Sequence, residues 1–470
     1  RQKKRKWMVH FFWIIELILL KIIRRVLLND YKTYKISMNR AILNVGGSFG
    51  DEGKGTTVDF QTRELNSTLT VRFNGGAQAA HNVVLPDGKH HTFAQFGAAT
   101  FVPGVKTYLS QYVLVNPLAM IKEEEHLQTC NVNDAFKRMY VHKNALITTP
   151  YHRADNRIKE LFRGSKMHGS CGMGISATVE DSLARPDECL RIVDLLDDNE
   201  LLRKLRLNRL AMIESSKNFI IPNNPLVDNE ISTFDEDLIN DIFNRLKSFA
   251  DKITIVDTED AEKVLFKNSE TVIFEPAQGI LLDENYGFHP YTTWTTCTLK
   301  NAKSILSEIG YKGNIEKYLV LRTFATRHGP GPFPTEDVDL TMKLADPYNT
   351  INIWQKGFRC GYLDTVLLDY SLRVNGKVNA LSVTHLDWTL KKKTKWKVCT
   401  QYKLDNKNWV PPIPKSLAEQ EQLTKNIERV IPIYEEHLSD DILPLIQDKL
   451  KTKIGIVSYG PTYKEKEWVK

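Results

Sequence analysis

One stretch governs what this chain can fold into: Val45 to Thr57, VGGSFGDEGKGTT. The apolar run Ala41-Ile42-Leu43-Asn44-Val45 leads in and Val58-Asp59-Phe60 leads out, which predicts a strand, a glycine-rich turn and the start of a helix. Such a turn presents backbone N–H groups at a positive helix end, where phosphate binds. Gly46, Gly47, Gly50, Gly53 and Gly55 allow backbone conformations and close approaches that a side chain would block. Lys54 supplies a cation for a transferring phosphoryl group. Asp51 and Glu52 are the odd members, because a carboxylate beside phosphate is repulsive unless Mg²⁺ or a proton transfer needs it. The pattern G-x-x-x-x-G-K-[ST] does not fit: five residues separate Gly47 from Gly53, and Gly55 stands where Ser or Thr belongs. The stretch therefore reads as a phosphate loop of another kind, with an acid built in.

The formal charge of +7 at first suggests a nucleic-acid or membrane partner. Its distribution removes that suggestion. Residues 1–37 hold ten lysines and arginines against Glu16 and Asp30, a net of +8, so the other 433 residues sum to −1. The basicity belongs to the N-terminal segment, and the body gives no electrostatic reason to bind nucleic acid. The apolar part of that segment is broken by Glu16, Lys21, Arg24 and Arg25, which suits a spanning helix poorly. Residues 1–37 are expected to be an extension outside the fold, and residues 38–470 one catalytic domain with no membrane association. The six cysteines form no C-x-x-C pair and no metal-ligand spacing. Reduced thiols in a cytoplasmic setting follow as the default.

Along the chain, Ser67–Phe73 alternates with period two and predicts a strand. It ends at Asn74-Gly75-Gly76-Ala77-Gln78-Ala79-Ala80-His81-Asn82, a small-residue loop at a strand end, where open α/β sheets bind ligands. Further strands are predicted at 113–115, 145–148, 271–275, 318–322, 380–384 and 454–457. Charged amphipathic stretches such as 231–252 and 417–438 lie between them. The alternation argues α/β architecture: a large, mostly parallel, twisted central sheet flanked by helices. The run Lys391-Lys392-Lys393-Thr394-Lys395 predicts a solvated hairpin. Leu381-Ser382-Val383-Thr384-His385-Leu386-Asp387 is a buried strand ending in an acid. A carboxylate there either caps a helix or accepts from the N1–H and 2-amino edge of guanine, which adenine does not offer.

With these stretches in place, the chain from Met38 onward resembles the adenylosuccinate synthetase family, GTP-dependent ligases that join aspartate to IMP. The most specific match is Gly50-Asp51-Glu52-Gly53-Lys54-Gly55, the family's GDEGKG loop. Supporting matches are Glu275-Pro276-Ala277-Gln278-Gly279 (EGAQG), Gly331-Pro332-Phe333-Pro334-Thr335-Glu336 (GPFPTE), Gly361-Tyr362-Leu363-Asp364-Thr365 (GWLDT), Thr384-His385-Leu386-Asp387 (TKLD) and Ser458-Tyr459-Gly460-Pro461 (STGP).

The resemblance implies a set of roles. Asp51 would take the purine N1 proton, so that O6 attacks the γ-phosphate of GTP; Lys54 would stabilise the charge that develops, and His81 would act there as an acid that favours departure of GDP. Gly50, Glu52, Gly53, Gly55, Thr56, Asn82, His385, Asp387, Ser458 and Gly460 would bind GTP. Asp51 and Ala80 would hold Mg²⁺. Gln78, Ser170, Cys171, Arg185, Gln278 and Thr293 fall where the family binds the purine monophosphate, and Arg185 reaching across an interface implies a homodimer. Lys356 and Arg359 remain to bind aspartate.

Departures from the family pattern are concentrated away from the phosphate loop. GGHNAGHT becomes Gly75-Gly76-Ala77-Gln78-Ala79-Ala80-His81-Asn82, so the first His is Ala77 and the phosphate-binding Asn is Gln78. TTGRG becomes Ser170-Cys171-Gly172-Met173-Gly174, which exchanges an arginine for Met173. TKLD carries His385 for Lys. The aspartate loop, Asn352 to Arg359, has lost most of its arginines. An alternative within the same chemistry is a phage-type ligase of aspartate, or another amine, to dGMP; those relatives carry Ser in place of the loop acid, whereas Asp51 is present here. A GTP-binding pseudoenzyme is the reading from another class, and it needs neither a base nor an acid.

Overall fold

The computed structural model describes residues 39–344, Trp354, and residues 357–390 and 395–469. The basic extension 1–37, Lys356 and Lys391 to Thr394 lie outside the described residues.

The first strand, Arg40–Gly46, occupies the middle of a ten-stranded sheet. The order across the sheet is Lys466–Trp468, Ile454–Ser458, Ala380–Thr384, Asn314–Arg322, Arg40–Gly46, Thr271–Glu275, Leu69–Arg72, Lys106–Leu109, Met139–His142 and Thr254–Val256. Neighbours run parallel except the edge strand Lys466–Trp468, which is antiparallel to Ile454–Ser458. The strands are apolar on both faces because helices cover both. Ala41, Leu43 and Val45 pack into one hydrophobic cluster, while Ile42 between them packs into the other with Val58, Phe60 and Ile273. Among the described residues no helix is long and apolar enough to cross a membrane.

The helix Lys54–Glu64 follows the loop as its sequence predicts, and it is fastened to the first strand from inside. Asn44 and Gln61 exchange amide hydrogen bonds of 2.7 and 3.1 Å in the buried layer. Gly53 caps this helix with φ +85°, a left-handed conformation that favours glycine. Gly55 is required by contact: a Cβ there would lie 2.6 Å from His81 Cβ.

A second sheet, Phe324–His328, Phe358–Asp364, Lys395–Leu404 and Lys407–Trp409, with Ile431–Leu438 also paired to Lys395–Leu404, packs beside the loop. It corrects one expectation. The stretch 417–438 is a helix only over Leu417–Ile427, and Ile431–Leu438 is a strand. Pro432 has no N–H to continue a helix, and Ile431 and Ile433 alternate as strand residues do. The stretch 231–252 is not one helix either: Ile231 ends the helix Pro225–Ile231, short 3-10 turns follow, and a second helix runs over Ile239–Ala250. The strands expected at 113–115 and 145–148 shorten to Leu114–Val115 and Leu146–Ile147, which pair with each other outside the large sheet.

Candidate active site

The phosphate loop, the C-terminal ends of strands Asn314–Arg322 and Ala380–Thr384, the loop before His81 and the turn after Ser458 surround one cavity of ≈ 290 Å³. It is lined by Gly50, Asp51, Gly53, Lys54, Gly55, Thr56, Ala80, His81, Asn82, His385, Asp387, Ser458 and Gly460, with Val84, Arg322, Phe324, Leu344, Thr384, Trp388 and Pro461. Candidate residues from four separate stretches of sequence therefore meet in one place.

Glu52 is the exception among the loop residues. Its carboxylate turns inward, accepts from the amides of Ser48 (2.8 Å) and Gly50 (2.9 Å), and takes the Lys54 ammonium at 2.6 Å. It shapes the loop and does not line the cavity. Lys54 also donates to the Gly50 carbonyl, and Thr384 Oγ1 donates to the Glu52 carbonyl at 2.7 Å. The loop is thus preformed around a buried ion pair, with side-chain exposures of 1% and 2%.

Asp51 faces the cavity under different control. Burial alone would push its carboxyl up, but His328, Arg322 and Lys54 outweigh that and hold it well below the usual carboxylate range. His328 Nε2 lies 3.1 Å from Asp51 Oδ2, and the Arg322 guanidinium donates to the Asp51 backbone carbonyl. Neither Arg322 nor His328 stood out in the sequence as a site residue. Both lie within RTFATRHGPGPFPTE, whose glycines and prolines mask the strand Phe324–His328 that positions His328.

His81 Nδ1 sits 2.5 Å from Glu275 Oε1, and Glu275 also accepts from the Ala98 amide at 2.9 Å. Burial works to raise the Glu275 carboxyl, yet Arg72 and His81 bring it below its ordinary value. Burial pushes His81 down, with the Glu275 hydrogen bond opposing. The carboxylate fixes the proton on Nδ1 and orients the ring. Asn82 Oδ1 accepts from Thr92 Oγ1 at 2.6 Å and bonds His90 Nε2 at 3.0 Å.

A second cluster lies on the other side of the loop. Gln78 and Gln278 converge on Gly75: a Cβ there would sit 3.4 Å from Gln78 Nε2 and 3.1 Å from Gln278 Oε1. Both amide atoms of Gln78 and the amide oxygen of Gln278 are buried without a hydrogen-bond partner among the described residues. Buried amides in that state mark a place built for a polar ligand. Ser170 and Cys171 precede the helix Ile175–Ala184, whose first residue abuts Gly76. Ser170 Oγ donates to Asn156 Oδ1 at 2.8 Å. Thr293 is half-buried, its amide bonded to the Leu282 carbonyl at 2.8 Å. Arg185 stands at the opposite, C-terminal end of that helix, paired within the chain to Asp181 and, at 3.3 Å, to Glu188.

The expected amine pair is only partly visible. Lys356 lies outside the described residues. Arg359 is engaged by Glu336 at 2.7 Å and by the carbonyls of Gly329 (2.6 Å) and Gly331 (3.1 Å). Arg327, which the sequence reading passed over, is fully buried, stacks 4.4 Å above the Phe49 ring and donates to the Pro332 carbonyl at 2.7 Å. Burial, helped by the neighbouring Arg359, brings its guanidinium down to about 9.

For Mg²⁺ the donor chemistry fits. That ion takes one or two protein oxygens and completes its shell with phosphate oxygens and water. Asp51 and the Ala80 backbone both line the cavity, and among the described residues no group of three His, Cys, Asp or Glu offers a self-sufficient metal nest.

Comparison with known proteins gives a consistent result. The family model described as "Adenylosuccinate synthetase" matches residues 43–466. The chain is 31% identical over 437 residues to adenylosuccinate synthetase of Clostridium beijerinckii, covering 90% of this chain and 97% of that one. It is 30% identical over 443 residues to the enzyme of the same name from Clostridium botulinum strain 657, with the same coverage. In fold it is similar to the fully ligated adenylosuccinate synthetase of Plasmodium falciparum (TM-score 0.75, 21% identity, 91% of this chain and 99% of that one). It is also similar to the succinoaminodeoxyadenylate synthetase of cyanophage S-2L, solved with dGMP and with dATP as energy donor (TM-score 0.55, 15% identity, 92% and 95%).

Proposed function

The chain belongs to the adenylosuccinate synthetase family of GTP-dependent C–N ligases, and from that membership we propose that it joins L-aspartate to C6 of IMP, releasing GDP and phosphate. The observation that carries the reading is one cavity lined by an acid kept ionised (Asp51), a buried ammonium (Lys54), a carboxylate-oriented imidazole (His81) and a second acid at a strand end (Asp387). Binding alone requires no such set.

In this reading Asp51 accepts the N1 proton of the purine, and the freed electron pair makes O6 the nucleophile. O6 attacks the γ-phosphorus of GTP, the bond to the β-phosphate oxygen breaks, and GDP leaves. Lys54 and the loop amides neutralise charge on the transferring group. His81, its Nδ1–H fixed by Glu275, turns Nε2 toward the same region. Negative charge arriving there raises its proton affinity and makes it a donor to the departing phosphate. The amine of aspartate then attacks C6, and phosphate leaves with the C6–O6 bond. Asp51 and Ala80 would hold Mg²⁺, which would supply charge neutralisation to the phosphates. The partnerless amides of Gln78 and Gln278, with Ser170, Cys171 and Thr293, take the purine monophosphate. Arg185 of a second copy approaches the same site in a homodimer, which requires it to exchange part of its pairing with Asp181 and Glu188.

Purified protein with GTP and Mg²⁺ is crossed with IMP, dGMP or GMP and with aspartate or other amino acids, while GDP and products are followed by mass spectrometry. GDP formed only with IMP plus aspartate is the expected result. Turnover only with dGMP moves the assignment to the phage-type ligase, the reading favoured by Gln78, Cys171 and Met173 around the monophosphate. Tight GTP binding with no turnover would leave a pseudoenzyme. Asp387→Asn loses an acceptor for the guanine edge, and a bidentate contact of this kind is worth about 1–3 kcal/mol. The preference for GTP over ATP and XTP should therefore fall by about tenfold or more; an unchanged preference in competition assays removes Asp387 from that role.

A further inference from the structure

The edge strand Lys466–Trp468 lies beside the cavity wall, with Lys466 opposite Ser458. Lys466 is only 6% exposed. Its ammonium donates to three successive backbone carbonyls, Thr462 at 2.9 Å, Gly460 at 3.1 Å and Pro461 at 3.5 Å. Ser458, Gly460 and Pro461 of this same turn line the cavity, next to Asp387 and Trp388. The turn is stitched further by Ser458 Oγ donating to the Gly460 carbonyl (3.0 Å) and by Glu465 accepting from Thr462 N (2.8 Å) and Oγ1 (2.9 Å).

The charged and titratable groups facing Lys466 come from every element packed on it. Asp59 belongs to the phosphate-loop helix and is itself paired with Arg63. Glu465 precedes it in the chain, Asp387 lies on the helix Leu386–Leu390, and His385 stands just ahead of that helix. One buried cation therefore sits where the phosphate helix, the base-reading segment and the C-terminal turn meet. Burying an ammonium is costly, and an apolar side chain would serve the edge strand alone at least as well.

We propose that Lys466 is a positioning residue for the nucleotide base: it holds the Ser458–Thr462 turn, part of the cavity wall that Asp387 also lines, in register for a 2-amino-6-oxopurine. The proposal rests on the reading that this cavity takes GTP. Burial brings the Lys466 ammonium down to about 8, against attraction from Asp59, Glu465 and Asp387. Below that pH the ammonium grips all three carbonyls; above it the neutral amine donates less and the turn is held less firmly. Base affinity should therefore fall as pH rises through this value.

The full chain is titrated calorimetrically with GTP and with ITP, which lacks the 2-amino group, for the parent, Lys466→Met and Lys466→Arg at pH 6.5 and 8.5. In Lys466→Met we expect GTP affinity to drop by about tenfold at pH 6.5, the loss expected for charge-assisted hydrogen bonds. The GTP-over-ITP ratio should shrink, KM for the purine monophosphate should stay unchanged, and the pH step seen in the parent should vanish. Lys466→Arg should keep more affinity than Lys466→Met. A Lys466→Met protein with parental GTP affinity and an unchanged ratio overturns the proposal while leaving the cavity's assignment intact. If Lys466→Met does not fold, the parent's pH series decides, and equal GTP affinity at both pH values overturns it. A parent that binds no GTP at either pH overturns the cavity's assignment and the proposal together.

Discussion

Asp51→Asn should lower kcat by about 10²–10⁴-fold, the range that a positioned general base contributes, while the chain stays folded and still binds GTP. Asparagine keeps the shape and one oxygen acceptor for His328, and the backbone carbonyl that Arg322 holds is untouched. What it lacks is a site for the purine proton. Circular dichroism and GTP titration serve as controls, and single-turnover GDP release in the presence of IMP is the readout. An Asp51→Asn enzyme within tenfold of the parent would falsify the assignment of the base. The surroundings of Asp51, namely His328, Arg322 and Lys54, sharpen the expectation. They keep the carboxylate ionised in the free protein, so a proton taken up there during turnover would come from the substrate.

The second large effect is at Lys54. Lys54→Met removes the partner of a carboxylate that is 2% exposed, and leaving such a charge unpaired costs about 3–5 kcal/mol. The single variant should therefore melt well below the parent and lose turnover. Glu52→Gln combined with Lys54→Met separates the two losses. The amide side chain that Glu52→Gln introduces has an oxygen that still accepts from Ser48 and Gly50, and no buried charge remains. The double variant should regain most of the stability in denaturant titration and none of the turnover. Recovered GDP formation in it would mean that Lys54 only supports the loop and does not act on the phosphoryl group.

The parts of this molecule that were readable in sequence are those whose cause is local. The strand-turn-helix at 40–64 is written in an apolar run, glycines at a tight turn and a helical stretch that follow one another directly. The strands Thr271–Glu275 and Ala380–Thr384 match their expected bounds because β-branched, apolar runs between turn residues have few other uses. Convergence of Asp51, Lys54, His81 and Asp387 on one cavity was legible through family motifs, not through periodicity. Long-range pairing was not legible. Nothing in the local sequence says that His328 and Arg322 meet Asp51, or that Glu275 orients His81. Glu52 looked like a phosphate-facing acid because its inward turn depends on the Ser48 and Gly50 amides, which only the folded loop presents. The strand Ile431–Leu438 is not legible despite Pro432, because Glu435 and Glu436 mimic the charged face of a helix.

The order of strands in the large sheet has a consequence for synthesis of the chain. The phosphate loop lies within its first described residues, yet Ser458, Gly460 and the strand bearing Lys466 come last and sit on the opposite side of Ala380–Thr384. A ribosome-bound chain that has not yet reached Ser458 carries the Asp51 loop but no closed wall for the base. A chain cut between Trp388 and Ser458 keeps every other lining residue of the cavity and lacks this wall alone. The cavity is therefore complete only once the last two strands of the sheet are in place.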